Sequence, residues 1–364
     1  MRPSFVEINL AAIRHNAAEI RRAVAPARLC AVVKADGYGH GAVPVAEAAL
    51  RGGADELAVA TVAEAEQLRA AGIDAPVLIM GPLRGDEVPR AGAAGAAITA
   101  WTPEAVGRAS DHDVPIHLKI DSGMGRLGAR AEDLDSLVEA AEAGGSPVMG
   151  IMSHFATADE LEGDGARFFR EQLLRFRSLR GDLAPRFPGA AFHVANSAAT
   201  LREPAAAFDM VRCGIALYGC SPFGGDPAEH DLRPAMSLTS YLGSVKTVRS
   251  RDSVGYGRTF RAARGTRIGL VPVGYADGIS RALGNKGEVL VGGRRVPIVG
   301  NVSMDQITVD LGPESSEEVG DTVVVIGRQG GERILVEDVA DRRDTINYEV
   351  VCGVGSRVAR QYLG

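Results

Sequence analysis

Leu29-Cys30-Ala31-Val32-Val33-Lys34-Ala35-Asp36-Gly37-Tyr38-Gly39-His40-Gly41 is an apolar run that stops at a lysine and gives way to glycine-spaced residues. A run of this length, closed by turn formers, reads as a buried strand. The Ala-rich segment 42–52 after it has helical spacing. The alternation then repeats, with apolar runs at 57–60, 77–80, 96–99, 115–120, 148–153, 191–194 and 210–212. Helix candidates lie between them at 62–72, 85–92, 103–110, 131–143 and 163–180. Strands alternating with helices require parallel pairing through crossovers. Eight such units in about 220 residues point to an α/β fold of the (β/α)8 barrel type. The competing open, doubly wound sheet generally has fewer strands, and its G-x-G-x-x-G turn does not follow the first run. Upstream, Leu10, Ile13, Ala17 and Ile20 share one face of a helix over 10–24, expected to pack across the bottom of the barrel.

Beyond about residue 230 the texture changes to Val-rich alternating runs with Gly turns, as in 237–247, 267–273, 288–291, 296–299, 306–310 and 321–326. Val289 to Val299 reads as a hairpin turning at Gly292-Gly293. Two domains are expected: a barrel over 1–230 and a separate, mainly β domain over 231–364. A first strand at about 3–9 is a candidate to join the second domain, and 222–234 reads as a linker.

Of 364 residues, 46% are hydrophobic and 24% charged, so the chain can bury a large core. A net charge of -6, with basic runs no longer than pairs, argues against nucleic acid or an anionic membrane as partner. No apolar run nears the roughly 18 residues of a membrane helix. The start, Met1-Arg2-Pro3-Ser4, lacks the pattern of a signal peptide. A cytoplasmic location is therefore expected, and with it buried, reduced thiols at Cys30, Cys213, Cys220 and Cys352. No metal site is read from the sequence.

Barrel enzymes work at the C-terminal ends of their strands. Lys34 ends the first strand; burial would lower its pKa and favour condensation with an aldehyde, whereas a lysine at the rim can also snorkel to solvent. Lys119 and Arg126 follow strand five, suiting either an anionic ligand or a loop ion pair with Asp121. His154 ends strand six, as a hydrogen-bond partner to the site or as a satisfied core histidine. Strands seven and eight end in His193-Val194-Ala195-Asn196-Ser197 and Arg212-Cys213-Gly214-Ile215. Loops after these two strands often bind phosphate, and a glycine there lets backbone N–H groups approach an anion. Together with Lys34 they suggest a phosphate-bearing aldehyde, pyridoxal 5'-phosphate.

The stretch around Lys34 resembles the cofactor-attachment signature of alanine racemases. The resemblance continues at Lys119–Gly128, Ser153–Glu160, His193–Ala199, Arg212–Gly219, Val254–Gly257, Gly274–Gly278, Val302–Gln306 and Ile346–Glu349, covering nearly the whole chain in the family's order. It implies a racemase interconverting L- and D-alanine, the latter for peptidoglycan precursors, and a head-to-tail homodimer with shared active sites. It implies Lys34 as cofactor carrier and base for the D-enantiomer, and Tyr256 as base for the L-enantiomer on the other subunit's cofactor. A phenol ordinarily titrates near pH 10, so such service at neutral pH needs help of roughly 4 kcal/mol; His154 and Arg212 match the residues that give it. Arg212 also matches the residue facing the pyridine nitrogen. Tyr38, His193, Asn196, Ser197, Gly214, Ile215 and Tyr348 match cofactor contacts. Arg126, Met304 and Tyr275 match substrate contacts, and Lys119 resembles a lysine often carbamylated in the family. Without the resemblance, Tyr256 reads as a strand-edge tyrosine, and Tyr275 and Met304 as ordinary packing. Ser122 replaces a common threonine and Ser303 a common cysteine, which leaves fine substrate preference open. A barrel-type amino acid decarboxylase shares the architecture, but Tyr256 and Arg212 speak against it; a single-barrel carrier protein lacks the β domain.

Overall fold

The computed structural model describes residues 4–364, so residue 3, where the first strand was expected to begin, lies outside the described residues. The described chain forms two compact units.

One unit, residues 13–217 and 230–232, is the barrel. After β1 (Phe5–Asn9), which belongs elsewhere, its strands are β2 (Arg28–Val32), β3 (Glu56–Val59), β4 (Val77–Ile79), β5 (Ala96–Ala100), β6 (Ile116–Lys119), β7 (Val148–Met152), β8 (Ala191–His193) and β9 (Met210–Cys213). All pairings are parallel, in the order β8-β7-β6-β5-β4-β3-β2-β9. The ring closes through two backbone bonds, from the Asp209 N–H to the Phe192 carbonyl and from the Arg212 N–H to the Ala195 carbonyl. Strands buried on both faces need apolar side chains throughout, and β3 and β4 are buried at every position. The crossover helices start where the sequence supplies caps. Thr61 and Glu64 form a capping box for Val62–Ala70, Thr102 precedes Pro103 at the head of Pro103–Ser110, and the Asn196 side chain accepts the Ala199 N–H.

The helix Leu10–Val24 does not cross the bottom of the barrel. Asn16 donates to the carbonyl of Leu217, four residues beyond the C-terminal end of β9, which a helix under the barrel could not reach. Its Arg14 and Ala17 lie against Gly52, at the end of the first crossover helix. It therefore lies on the flank, beside the first and last barrel strands.

The second unit comprises 4–12, 218–229 and 233–364. Its strands are β10 (Met236–Tyr241), β11 (Ser244–Val248), β12 (Ser253–Val254), β13 (Phe260–Arg261), β14 (Thr266–Val271), β15 (Glu288–Val291), β16 (Arg294–Pro297), β17 (Ile307–Gly312), β18 (Thr322–Gln329), β19 (Glu332–Ile334) and β20 (Ala359–Leu363). The main sheet runs β16-β15-β18-β10-β1-β20, with β19 on β18; β11-β14-β17 and β12-β13 form smaller sheets. Strand β1 pairs antiparallel with β10 and parallel with β20, so the start of the chain is built into this unit. Gly292 and Gly293 both take positive φ in the β15–β16 turn, the geometry a two-residue hairpin needs.

The segment 222–234 is not a free linker. The carbonyl and N–H of Ser221, just before it, are taken by Asn347 and Glu337, and Asp226 pairs with Arg333. Residues 230–232 return to the barrel unit, where His15 bonds the Asp231 carbonyl. Cys30, Cys213 and Cys220 are buried as expected, but Cys352 is exposed at the end of a short helix. No helix among the described residues is long and apolar enough to cross a membrane.

A Cβ on Gly52 would lie 2.6 Å from the Arg14 carbonyl oxygen and 2.7 Å from the Ala17 Cβ. Gly52→Ala should therefore cost about 1–3 kcal/mol by overpacking this flank, read as a lower denaturant midpoint at unchanged m-value.

Candidate active site

The C-terminal mouth of the barrel gathers the polar residues. Strand β2 ends at Val32, and Lys34 opens an unusual turn in which Ala35, Asp36, Gly37 and Tyr38 all have φ between 52° and 60°. Left-handed backbone costs an L-residue roughly 1–2 kcal/mol, and three of these four have side chains. The turn brings the Tyr38 phenol against Gly214, where an added Cβ would lie 2.4 Å from the phenolic oxygen. The Ser197 hydroxyl, at the start of the helix Ser197–Arg202, accepts the N–H groups of Gly214 (3.0 Å) and Ala216 (3.3 Å). Tyr38, Ser197, Gly214 and Ile215 are thus brought together after strands β2, β8 and β9. Asn196 spends its side-chain oxygen capping that helix.

Deeper in the barrel lies Arg212, 4% exposed. One of its terminal nitrogens donates to His193 Nδ1 (2.7 Å) and to the His193 carbonyl (3.0 Å); the other donates to the Ser153 carbonyl (2.7 Å) and to His154 Nδ1 (3.2 Å). His193 Nε2 in turn meets His117 Nδ1 at 2.9 Å. Because a guanidinium only donates, both Nδ1 atoms it touches must be acceptors. Neutral His193 therefore carries its proton on Nε2 and passes it toward His117, while His154 carries its own on Nε2. Burial, then the Arg212 charge, push His154 and His193 well below the usual imidazole range and His117 down to about 3, so all three stay neutral. Burial lowers Arg212 only to about 10, which leaves it charged at neutral pH.

Lys119 sits nearby, 7% exposed, in a small pocket with Met124, Arg126, Leu127, Ser153 and His154. Burial, reinforced by the charges of Arg212 and Arg126, lowers its pKa to about 7. Asp121 is not committed to an ion pair with it: its carboxylate accepts the N–H groups of Gly123, Met124 and Gly125 and so shapes the loop that carries Arg126. Gln172, fully buried, donates to Ser122 Oγ and to the His154 carbonyl and accepts the Ala156 N–H, tying the ends of β6 and β7 together.

His117 and Gln172 escaped the reading of the sequence, although signals existed. His117 is two residues before Lys119 on one strand, so both point to the same face. Gln172 interrupts the apolar stripe Phe169, Leu173, Phe176 of its helix, which forces a buried amide.

Tyr256, Tyr275, Met304 and Tyr348 belong to the second unit. Tyr256 is 72% exposed on a short turn after β12, and Asn301 holds its carbonyl. Tyr275 and Met304 are exposed too, joined through the N–H groups of Tyr275 and Ala276 to the carbonyls of Ser303 and Met304. Three large apolar side chains on linked turns are thus presented to solvent in a single chain. Among the described residues, no cluster of His, Cys, Asp or Glu has the makings of a metal site.

The family models "Alanine racemase, N-terminal domain" and "Alanine racemase, C-terminal domain" match residues 8–222 and 235–362. The chain is 43% identical to the alanine racemase of Symbiobacterium thermophilum, over 100% of this chain and 98% of that one. It is 40% identical to alanine racemase 2 of Bacillus subtilis, over 100% and 95%. Among solved structures, the alanine racemase of Streptomyces lavendulae matches with a TM-score of 0.94 and 38% identity, covering 100% of this chain and 98% of that one. The biosynthetic alanine racemase of Pseudomonas aeruginosa gives 0.90 and 38%, with both chains covered in full.

Between pH 7 and 10.5 the folded chain holds fewer protons on Lys119 than the unfolded chain does, so this lysine penalises folding most at or below pH 7, and the penalty fades as pH rises. In buffer freed of carbon dioxide, where Lys119 is the plain amine, Lys119→Met should stabilise the protein at pH 7, on the order of a few kcal/mol, and much less near pH 10; urea melts at the two pH values would show it.

Proposed function

Because the chain belongs to the alanine racemase family, we propose that it interconverts L- and D-alanine with pyridoxal 5'-phosphate held at Lys34 and a proton carrier on each face of the substrate's α-carbon. The observation that carries the reading is the convergence of a lysine, an anion cradle and a buried, donor-only arginine at one barrel mouth. The cradle fits a phosphate: bare Gly214 leaves room for the Tyr38 phenol, and the Ser197 hydroxyl, whose oxygen accepts the Gly214 and Ala216 N–H groups, can direct its own hydrogen to an anion. Ile215 and Tyr348 match the remaining phosphate contacts of the family. Once bound, the cofactor supplies an electron-withdrawing ring that weakens the Cα–H bond of the amino acid joined to it.

The chain's own residues do the rest. Lys34 takes the α-proton of D-alanine, and Tyr256 of the partner subunit takes that of L-alanine; whichever carrier is protonated returns its proton on the opposite face. His154, neutral with its proton on Nε2, offers that proton as a hydrogen bond to the phenolic oxygen. Arg212 presents only hydrogens to the ring nitrogen, so that nitrogen must stay an unprotonated acceptor. Both nitrogens of the His193 ring are engaged, so His193 serves the cofactor through Arg212 rather than by direct contact. Arg126 takes the substrate carboxylate. An amine with a pKa near 7 is available to react with carbon dioxide, which supports a carbamate on Lys119 whose negative charge would hold Arg126 in place.

The exposed Tyr256, Tyr275 and Met304 suit the mouth of a second copy's barrel, in a head-to-tail homodimer with shared active sites. The setting we propose is the cytoplasm, with D-alanine passed to peptidoglycan precursors.

Lys34→Ala should lose both the visible band of bound cofactor and the production of D-alanine. Tyr256→Phe should keep the band but lose about 100-fold or more in proton exchange from L-alanine, with exchange from D-alanine less affected; deuterium uptake from solvent measures each. Arg212→Glu should protonate the ring and raise the ratio of transamination to racemisation, and an unchanged ratio would refute the role given to Arg212.

A further inference from the structure

We infer that Glu64, on the neighbouring crossover unit, is a positioning residue that fixes the backbone on the far side of Lys34 and so aims the lysine into the barrel mouth. The inference rests on the cofactor-carrying role of Lys34 proposed above.

The β2–β3 ladder ends with the Val33 N–H on the Ala58 carbonyl, 2.9 Å. The next amide on that side belongs to Ala35, two residues on, where β3 has already turned into its helix. Glu64 Oε1 accepts that N–H at 2.7 Å and takes the place of the missing carbonyl. Lys34 is thereby bracketed by two anchored amides, both tied to the same neighbouring unit.

The carboxylate is itself held rigidly. Its Oε2 accepts the N–H groups of Ala60 (2.7 Å) and Thr61 (3.1 Å), and the Thr61 hydroxyl accepts the Glu64 N–H at 3.3 Å. Capping the helix Val62–Ala70 requires only this second set of bonds. The first oxygen, reaching 29 residues back along the chain, serves a different purpose.

What it grips is the left-handed turn Ala35–Tyr38. A strained segment persists only when its surroundings over-determine it. Several bonds inside residues 33–42 hold the shape of this turn: Gly37 N–H to the Val33 carbonyl, Gly39 N–H to the Ala35 carbonyl, His40 Nδ1 to the carbonyls of Gly37 and Tyr38, and Ala42 N–H to Asp36 Oδ1. Such bonds fix the shape of the turn but travel with it. Glu64 fixes where it sits, at the end that carries Lys34.

The test uses the full-length protein stripped of cofactor. Glu64→Gln keeps the shape of the side chain but turns one acceptor into an NH2 group that must face an N–H. Thr61→Ala damages the same capping box and leaves the carboxylate in place. Three quantities are compared with wild type: the rate at which added pyridoxal phosphate is trapped on Lys34 by borohydride, located by peptide mass; amide hydrogen exchange over 33–42; and the melting temperature. Both variants should melt somewhat lower. Only Glu64→Gln should slow trapping, by about tenfold, and speed exchange at 35–38 to a similar degree, as loss of one charge-assisted hydrogen bond implies. The proposal is overturned if Glu64→Gln traps as fast as wild type, or if Thr61→Ala slows trapping equally, since helix capping alone would then explain the effect. Failure of wild type itself to be trapped at Lys34 would sink the cofactor reading instead. The exchange measurement needs no cofactor and still decides the case: unchanged exchange at 35–38 in Glu64→Gln overturns the grip.

Discussion

A guanidinium buried in the barrel and surrounded by neutral acceptors organises the polar groups at the C-terminal mouth of this barrel. Arg212 would be costly inside the core without partners, and its hydrogen bonds go to three backbone carbonyls and two imidazole nitrogens rather than to a carboxylate. Its charge adds to burial, the larger cause, in disfavouring protonation of the ionisable groups beside it. His154, His193 and His117 are held uncharged, and Lys119 is pushed toward neutrality. A single buried charge thus fixes the tautomers of two histidines directly and that of a third through His193, and it adds to burial in lowering the pKa of Lys119.

The barrel makes this possible because its strands present alternate residues inward. His117 and Lys119 share one face of β6, and His193 on β8 and Arg212 on β9 meet across the closing seam of the ring. Space is made for them by small residues: a Cβ on Gly150 would lie 2.4 Å from His117 Nδ1. Around the mouth, loops are stiffened by carboxylates that bind amides rather than cations. Asp121 does this under the Arg126 loop and Glu64 behind Lys34. Those negative charges are spent on shape, which leaves the mouth rich in cations and N–H groups.

The fold and much of the site were legible because they depend on local pattern. Eight apolar runs separated by helical segments gave the barrel, the Gly292-Gly293 turn gave a hairpin, and the polar residues at or after the strand ends gave Lys34, Arg126, His154, Ser197 and Arg212. The flank position of the first helix was misread, since its apolar face says that it is buried but not against which neighbour. Cys352 was expected to be buried and is exposed, because a thiol carries no local signal of depth. The segment 222–234 looked like a linker from its Pro and Gly content, yet bonds from Asn347, Glu337 and Arg333, more than a hundred residues away, hold it and the residue before it.

By itself, then, the sequence determined which residues could do chemistry and which strand ends would carry them, since hydrophobic periodicity and turn residues act over a few positions. Only the tertiary structure decided how those residues act on one another: that Arg212 is the donor to two histidines, that Lys119 loses its preference for a charge, and that Ala35 finds its acceptor on Glu64. Burial and hydrogen-bond direction arise from side chains that meet across the barrel, and no spacing along the chain encodes the angle at which they meet.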